Sequence, residues 1–224
     1  MAGPSDLPLR PREMRDRNRA LVLDTVARLE LITRAQLAAR TGLTKSSVSS
    51  IVQELLAAGL VVEQGAQRGR DLGRPGTALT LARDGLAGLG LEVNVDYLAA
   101  CVVDLARRTR VQYVEVGDNR GRDPAAVAEQ LARLAGAAVA AAETQGPTIS
   151  ATCVAVPGLV DQEAGTVARA PNLDWTGVPL RRLLDGRVPE ALGPVLVENE
   201  ANAAALGELW FGDCLLYTSD AADE

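Results

Sequence analysis

Apolar residues at Leu21, Val22, Thr25, Val26 and Leu29 recur with the spacing of one helical face and predict an amphipathic helix over Arg17–Leu29. Thr33-Arg34-Ala35-Gln36 follows as a capping box, in which hydroxyl and amide each satisfy a backbone donor of the next helix. That helix is expected to stop at Thr41-Gly42, where glycine can take the left-handed conformation. Thr44 then caps a third helix, with Val48, Ile51, Val52 and Leu55 on one side. Leu60–Val62 and Ala78–Leu81 read as antiparallel strands around a loop that carries Gly65, Gly69, Gly73 and Gly76.

The pattern changes after residue 83. Three strand-like runs, Leu89–Val95, Leu98–Asp104 and Val111–Val116, are separated by short polar breaks and predict a meander. Asp123-Pro124 opens an alanine-rich helix, with proline where its missing donor is harmless, and Gly146-Pro147 closes it. A buried strand at Ile149–Val156, a strand near Gly165–Ala168, a short helix near Val178–Leu184, a strand at Val195–Val197 and a helix from Glu200 complete the series. Strands with returning helices predict an α/β layer structure. The expected domains are residues 10–83 and 88–213.

Composition narrows the class. The 224 residues are 47% hydrophobic and 23% charged, which excludes global disorder. The most apolar stretches are broken by Glu92 and Asp96 or by Glu129 and Arg133, so no membrane span is expected. Met1–Pro11 lacks a signal-peptide core, and the cytoplasm is the expected compartment. Cys101, Cys153 and Cys214 are widely spaced and the chain has no histidine, which leaves neither a disulfide framework, nor a zinc site, nor a Ser-His-acid triad to draw. Charge is divided unevenly. Residues 1–83 carry 13 Arg or Lys and 8 Asp or Glu, net +5, whereas residues 84–224 carry 10 and 21, net −11. A basic unit joined to an acidic body points to a polyanion partner for the first part.

Helix, glycine turn, helix and basic hairpin is the succession of a winged helix-turn-helix, which lays its second helix in the major groove. The face opposite Val48, Ile51 and Leu55 is Ser46, Ser50 and Gln53, flanked by Ser47 and Ser49 with Lys45 at its start, side chains able to reach base edges or phosphates of double-stranded DNA. Arg68, Arg70 and Arg74 sit in the loop between the strands, and Gly73-Arg74-Pro75-Gly76 presents an arginine suited to a narrow minor groove. A solvated helix face and a flexible glycine loop are the plainer alternatives.

Two long motifs, VAVPGLVDQEAGTVARAPNLDW (Val154–Trp175) and VENEANAAALGE (Val197–Glu208), resemble the ROK family of bacterial sugar kinases and sugar-responsive repressors. The resemblance runs from about Gly88 to Gly212 and implies a partial actin-like, ribonuclease-H-like domain behind the winged helix, the arrangement of the repressor branch. Family kinases carry an Asp-x-Gly-Gly-Thr phosphate loop; Leu91–Asp96 stands in its place with both glycines replaced and Asp96 where phosphates would lie. The kinases' sugar-positioning Asn-Asp pair is matched by Asn199-Glu200, and sugar contacts are implied near Gly158 and Asn172. A tight turn accounts equally for Gly158, loop geometry for Asn172, and a favourable helix start for Glu200.

The resemblance thus implies a non-enzymatic, sugar-responsive repressor of carbohydrate-utilisation genes, with a sugar or sugar-phosphate effector and homo-oligomeric assembly. An ATP-dependent hexose kinase is the alternative. No cofactor is expected in this chain; zinc is an expectation for a complete parent protein, whose cysteine and histidine cluster would lie downstream. Cys214–Glu224 departs from the family pattern after ELWFGD and is expected to be a non-native tail on a shortened domain. Leu206, Leu209, Trp210 and Phe211 would then lack packing partners.

Overall fold

The computed structural model describes residues 11–29, 31–67, 76–188 and 195–211. The chain divides into two units at Gly85/Leu86, each with its own core. In the first, α1 (Pro11–Leu29), α2 (Arg34–Thr41) and α3 (Lys45–Ala57) pack with β1 (Ile32–Thr33), β2 (Val61–Gln67) and β3 (Gly76–Leu81). α1 starts six residues before Arg17, where the predicted span begins. Its first turns are polar and gain support from Arg19–Asp16, 2.9 Å apart, and from an ion pair between Arg15 and Glu54. Val22 and Val26 are fully buried, but Leu21, expected on the same face, is exposed, so the inward stripe is narrower than the spacing implied.

Thr33 accepts from the Gln36 backbone N–H, Gln36 accepts from the Thr33 N–H at 2.9 Å, and Gly42 ends α2 at φ 70°. β2 and β3 pair antiparallel from Val61↔Leu81, and β1 adds itself to β3 through Ile32↔Leu79. This third strand was not foreseen.

The second unit is built on a five-stranded sheet in the order β11 (Val195–Asn199), β7 (Thr148–Val156), β4 (Leu86–Val93), β5 (Tyr97–Asp104), β6 (Thr109–Val116). β4, β5 and β6 form the antiparallel meander. β7 joins β4 in parallel and β11 joins β7 in parallel. Every second side chain of β4 and β5 is buried, the signature of a sheet covered on one face. That face takes α4 (Pro124–Glu143), whose Val127, Leu131, Leu134 and Ala138 are buried.

Contrary to the expectation that charges interrupt every long apolar stretch, α4 is long and apolar enough by composition to cross a bilayer. Glu129 and Arg133 fall outside its buried stripe, and that stripe is committed to the sheet. A small antiparallel sheet, β8 (Leu159–Asp161), β9 (Thr166–Ala170) and β10 (Trp175–Val178), and α5 (Leu180–Leu184) complete the inner layer. Asp104 is buried as a charge, but Arg110 Nε donates to Oδ2 at 2.6 Å and the Arg108 N–H to Oδ1 at 2.9 Å, so it is not left uncompensated. α6 (Glu200–Phe211) follows β11 and leaves Leu206 exposed; the side chains of residues 209–211 and the whole of 212–224 lie outside the described residues.

Candidate functional site

α3 owes its start to Thr44, whose side chain accepts from the Ser47 backbone N–H at 3.2 Å. With Val48, Ile51, Val52 and Leu55 turned into the core, Lys45, Ser46, Ser49, Ser50 and Gln53 stand exposed and Ser47 is half-buried. Thr44 Oγ1 lies 2.9 Å from both Ser46 Oγ and Ser47 Oγ, which ties those two serines to the cap. Ser49, Ser50 and Gln53 therefore form the outward part of the face. Glu54, one turn beyond Ser50, is held below its usual carboxylate range chiefly by its hydrogen bond from Arg15, with Ser50 a lesser contributor. Nothing in the order of residues shows that α1 delivers Arg15 to α3. Arg68, Arg70 and Arg74 lie outside the described residues.

The second unit has a cleft of about 590 Å³ at the carboxyl ends of its parallel strands β4 and β7. Strand ends of this kind are where open α/β sheets gather ligands, since the loops leaving neighbouring strands diverge there. The turn after β4 supplies Asn94 and Asp96, the loop after β6 supplies Arg120, a 3₁₀ turn at Pro171–Leu173 supplies Asn172, and the first residue of α6 supplies Glu200. Asn172 and Glu200, two of the four residues expected to contact sugar, thus both line this cleft.

The other two lie beside them in a different arrangement. Asn199 Nδ2 donates to the Gly158 carbonyl at 2.6 Å, while Asn199 Oδ1 accepts from the backbone N–H groups of Ala201 and Asn202 at 2.9 and 3.1 Å. Its amide caps α6 and fastens that helix to the turn after β7. Gly158 has φ 137°, and a Cβ there would overlap the Arg169 carbonyl and Ala170, so the position excludes any other residue without rearrangement. Pro157, its neighbour, is the residue of that turn that lines the cleft.

Behind the lining is a hydrogen-bonded cluster that the sequence did not disclose. Tyr97 Oη donates to Glu92 Oε1 at 2.6 Å, and Asn94 Nδ2 lies 3.1 Å from the same oxygen and 3.5 Å from Glu200 Oε2. The bond to Glu92, with partial burial and the nearby carboxylates, pushes the Tyr97 phenol up to about 12. Asn119 Nδ2 donates to the carbonyls of Asn94 and Tyr97 at 2.7 and 3.1 Å and fixes the turn from the side. Asp96 pairs with Arg120 at 3.1 Å, and Arg120 also meets Asp118 at 2.9 Å. Only a lone polar run, Gly117–Arg122, marked this loop in the sequence. Among the described residues no three Cys, Asp or Glu side chains converge to hold a metal ion.

The chain belongs to the ROK family, whose model matches residues 88–218, and the MarR family model matches residues 16–70. The xylose repressor of Caldicellulosiruptor bescii is 33% identical over 197 residues, covering 88% of this chain and 48% of that protein. The xylose repressor of Bacillus subtilis is 30% identical over 210 residues, covering 90% and 52%. The glucokinase of Streptomyces coelicolor is 45% identical over 67 residues, 30% of this chain and 20% of that one. The chain spans about half the length of the curated repressors it matches. A crystal structure of a ROK family transcriptional regulator, described as a homologue of the E. coli MLC protein, superposes with TM-score 0.68 at 24% identity, over 88% of this chain and 49% of that one. The fold is therefore a MarR-type winged helix followed by part of the actin-like sugar-kinase domain.

Proposed function

We propose that the protein is a sugar-responsive transcriptional repressor of carbohydrate-utilisation genes, working in the cytoplasm as a homo-oligomer on double-stranded operator DNA. The observation that carries this reading is the exposed Lys45, Ser46, Ser49, Ser50 and Gln53 face of α3, in a winged-helix unit joined to a ROK domain. With the helix core buried, the outward side chains offer donors and acceptors to a major groove, and the amino end of α3 favours a phosphate. Arg68, Arg70 and Arg74 would add phosphate or minor-groove contacts.

Sugar hydroxyls would bind Asn172 and Glu200 in the cleft, with Asn199 and Gly158 holding the Glu200 end of α6 in place. A sugar that binds one arrangement of the protein more tightly than another shifts the population between forms of different DNA affinity. Catalysis is not part of the proposal. At the phosphate-loop position Asn94 Oδ1 accepts the Val95 N–H at 2.7 Å, which occupies a donor that a nucleotide phosphate would need, and Asp96 repels it. The relatives named xylose repressor make pentoses the first effectors to try.

The test selects genomic fragments that bind the purified protein, then titrates sugars against the complex. Specific fragments released by a sugar are expected. Absence of sequence-specific binding would sink the proposal, and ATP-dependent sugar phosphorylation abolished by Glu200→Gln would make the protein a kinase.

A further inference from the structure

We infer that this cleft accepts uncharged sugars and rejects their phosphate esters, because its two potential anion-binding devices are blocked by asparagine side chains and its one guanidinium is shared by two carboxylates. The inference rests on the sugar-receptor reading above and specifies the class of ligand.

A phosphate is ordinarily held by backbone N–H groups of a loop, by a helix amino end, or by arginine. Each is represented at the cleft, and the following groups are engaged. In the turn after β4 the Val95 N–H points at Asn94 Oδ1, 2.7 Å away. At the amino end of α6 the Ala201 and Asn202 N–H groups both point at Asn199 Oδ1. Among the described lining residues Arg120 is the one cation, and its Nη1 lies 3.1 Å from Asp96 Oδ1 and 2.9 Å from Asp118 Oδ1.

The charge count does not depend on that pairing staying closed. Asp96, Asp118 and Glu200 against Arg120 give a net −2, and Glu92 behind Asn94 adds another negative charge. Asp118 is held below its usual range by the Arg120 backbone N–H and guanidinium. A phosphate monoester brings a further charge of about −1.5 to −2 at neutral pH. If Arg120 swung over to meet it, Asp96 and Asp118 would lose their partner. Hydroxyl groups meet no such obstacle, since carboxylate and amide oxygens accept their protons and the Asn172 amide can donate.

Calorimetry on the 224-residue protein would compare a panel of pentoses and hexoses with the terminal phosphate ester of each, and with inorganic phosphate alone. At low salt the ester is expected to bind at least about tenfold more weakly than its parent sugar. The gap should narrow as salt rises, which a purely steric rejection would not do. The double variant Asp96→Asn, Asp118→Asn changes two exposed side chains and should raise ester affinity relative to the parent sugar and create a saturable response to inorganic phosphate.

An ester that binds as tightly as its parent sugar, or saturable phosphate binding by the unaltered protein that perturbs the Arg120 Nε resonance, overturns the inference and leaves the sugar reading intact. Failure of every sugar and every ester to bind overturns the sugar reading and the inference with it. The phosphate titration still reports whether the wall excludes anions.

Discussion

Asn199 is read in the sequence as a sugar contact, and in the structure its amide joins the Gly158 carbonyl to the first donors of α6. Asn199→Ala removes the cap and is expected to cost about 1–2 kcal/mol in a denaturant titration, whereas Asn199→Asp keeps the acceptor and should lose less. Gly158→Ala places a Cβ against Arg169 and Ala170 at a φ that disfavours any side chain, and should cost more than about 1 kcal/mol by the same measurement. Tyr97 offers a direct optical check. Its folded pKa is raised, so the stability it contributes is complete below its unfolded value near 10 and is lost as pH rises toward 12. A phenolate absorbance step near pH 12 that vanishes in Tyr97→Phe is the expected result, together with a shallower alkaline loss of stability between pH 10 and 12.

Among the elements, those with strong terminal chemistry were legible. The Thr33–Gln36 box, the Thr44 cap, the left-handed Gly42 and the Asp123-Pro124 start all stand where the residue types demand them. The two-residue β1, the three-residue β8 and the four-residue β10 escaped notice because so short a run carries no period, and β1 consists of residues that also begin a helix. The early turns of α1 escaped for a related reason: they bury little, and their stabilising ion pairs link residues that sequence spacing does not single out. The cleft was half legible. Motif resemblance led to Asn172 and Glu200, but Arg120 meets Asp96 only because the end of β6 returns beside the β4–β5 turn, where the Gly117 N–H donates to the Asp96 carbonyl at 2.9 Å. At this scale α3 gives the sharpest prediction. Ser50→Glu puts a carboxylate on the exposed face, next to Glu54, and operator affinity should fall on the order of tenfold or more in a gel-shift titration, with helix content by circular dichroism little changed.

At the scale of the whole molecule, Val22, Val26, Leu37, Val48, Val52, Leu55 and Leu79 of the first unit are buried, and its helices and strands pack on one another. Residues 11–85 expressed alone are therefore expected to unfold cooperatively and to retain salt-sensitive DNA binding. Each phosphate-contacting arginine removed from Arg68, Arg70 and Arg74 should lower the magnitude of the slope of log affinity against log salt by about 0.9. An unchanged slope in the triple alanine variant would remove the wing from the interface. The basic first part and acidic second part, unexplained by fold alone, fit a division in which one unit seeks a polyanion and the other does not compete for it.

The mixed sheet also sets a timetable for synthesis. β4, β5 and β6 pair with immediate sequence neighbours and can zip together as soon as they emerge, because hairpins close in about 1–10 microseconds. The parallel partner β7 and the covering helix α4 come later, about 40 residues after Val116 by the end of β7, which at ribosomal speed is a wait of about 2–8 s. For those seconds Leu89, Leu91, Leu98 and Val102, all buried in the finished domain, face solvent on a nascent meander with an open edge. That interval is when chaperone capture should be strongest, and ribosome-bound chains stalled after Val116 should bind a holdase more tightly than chains stalled after Val156.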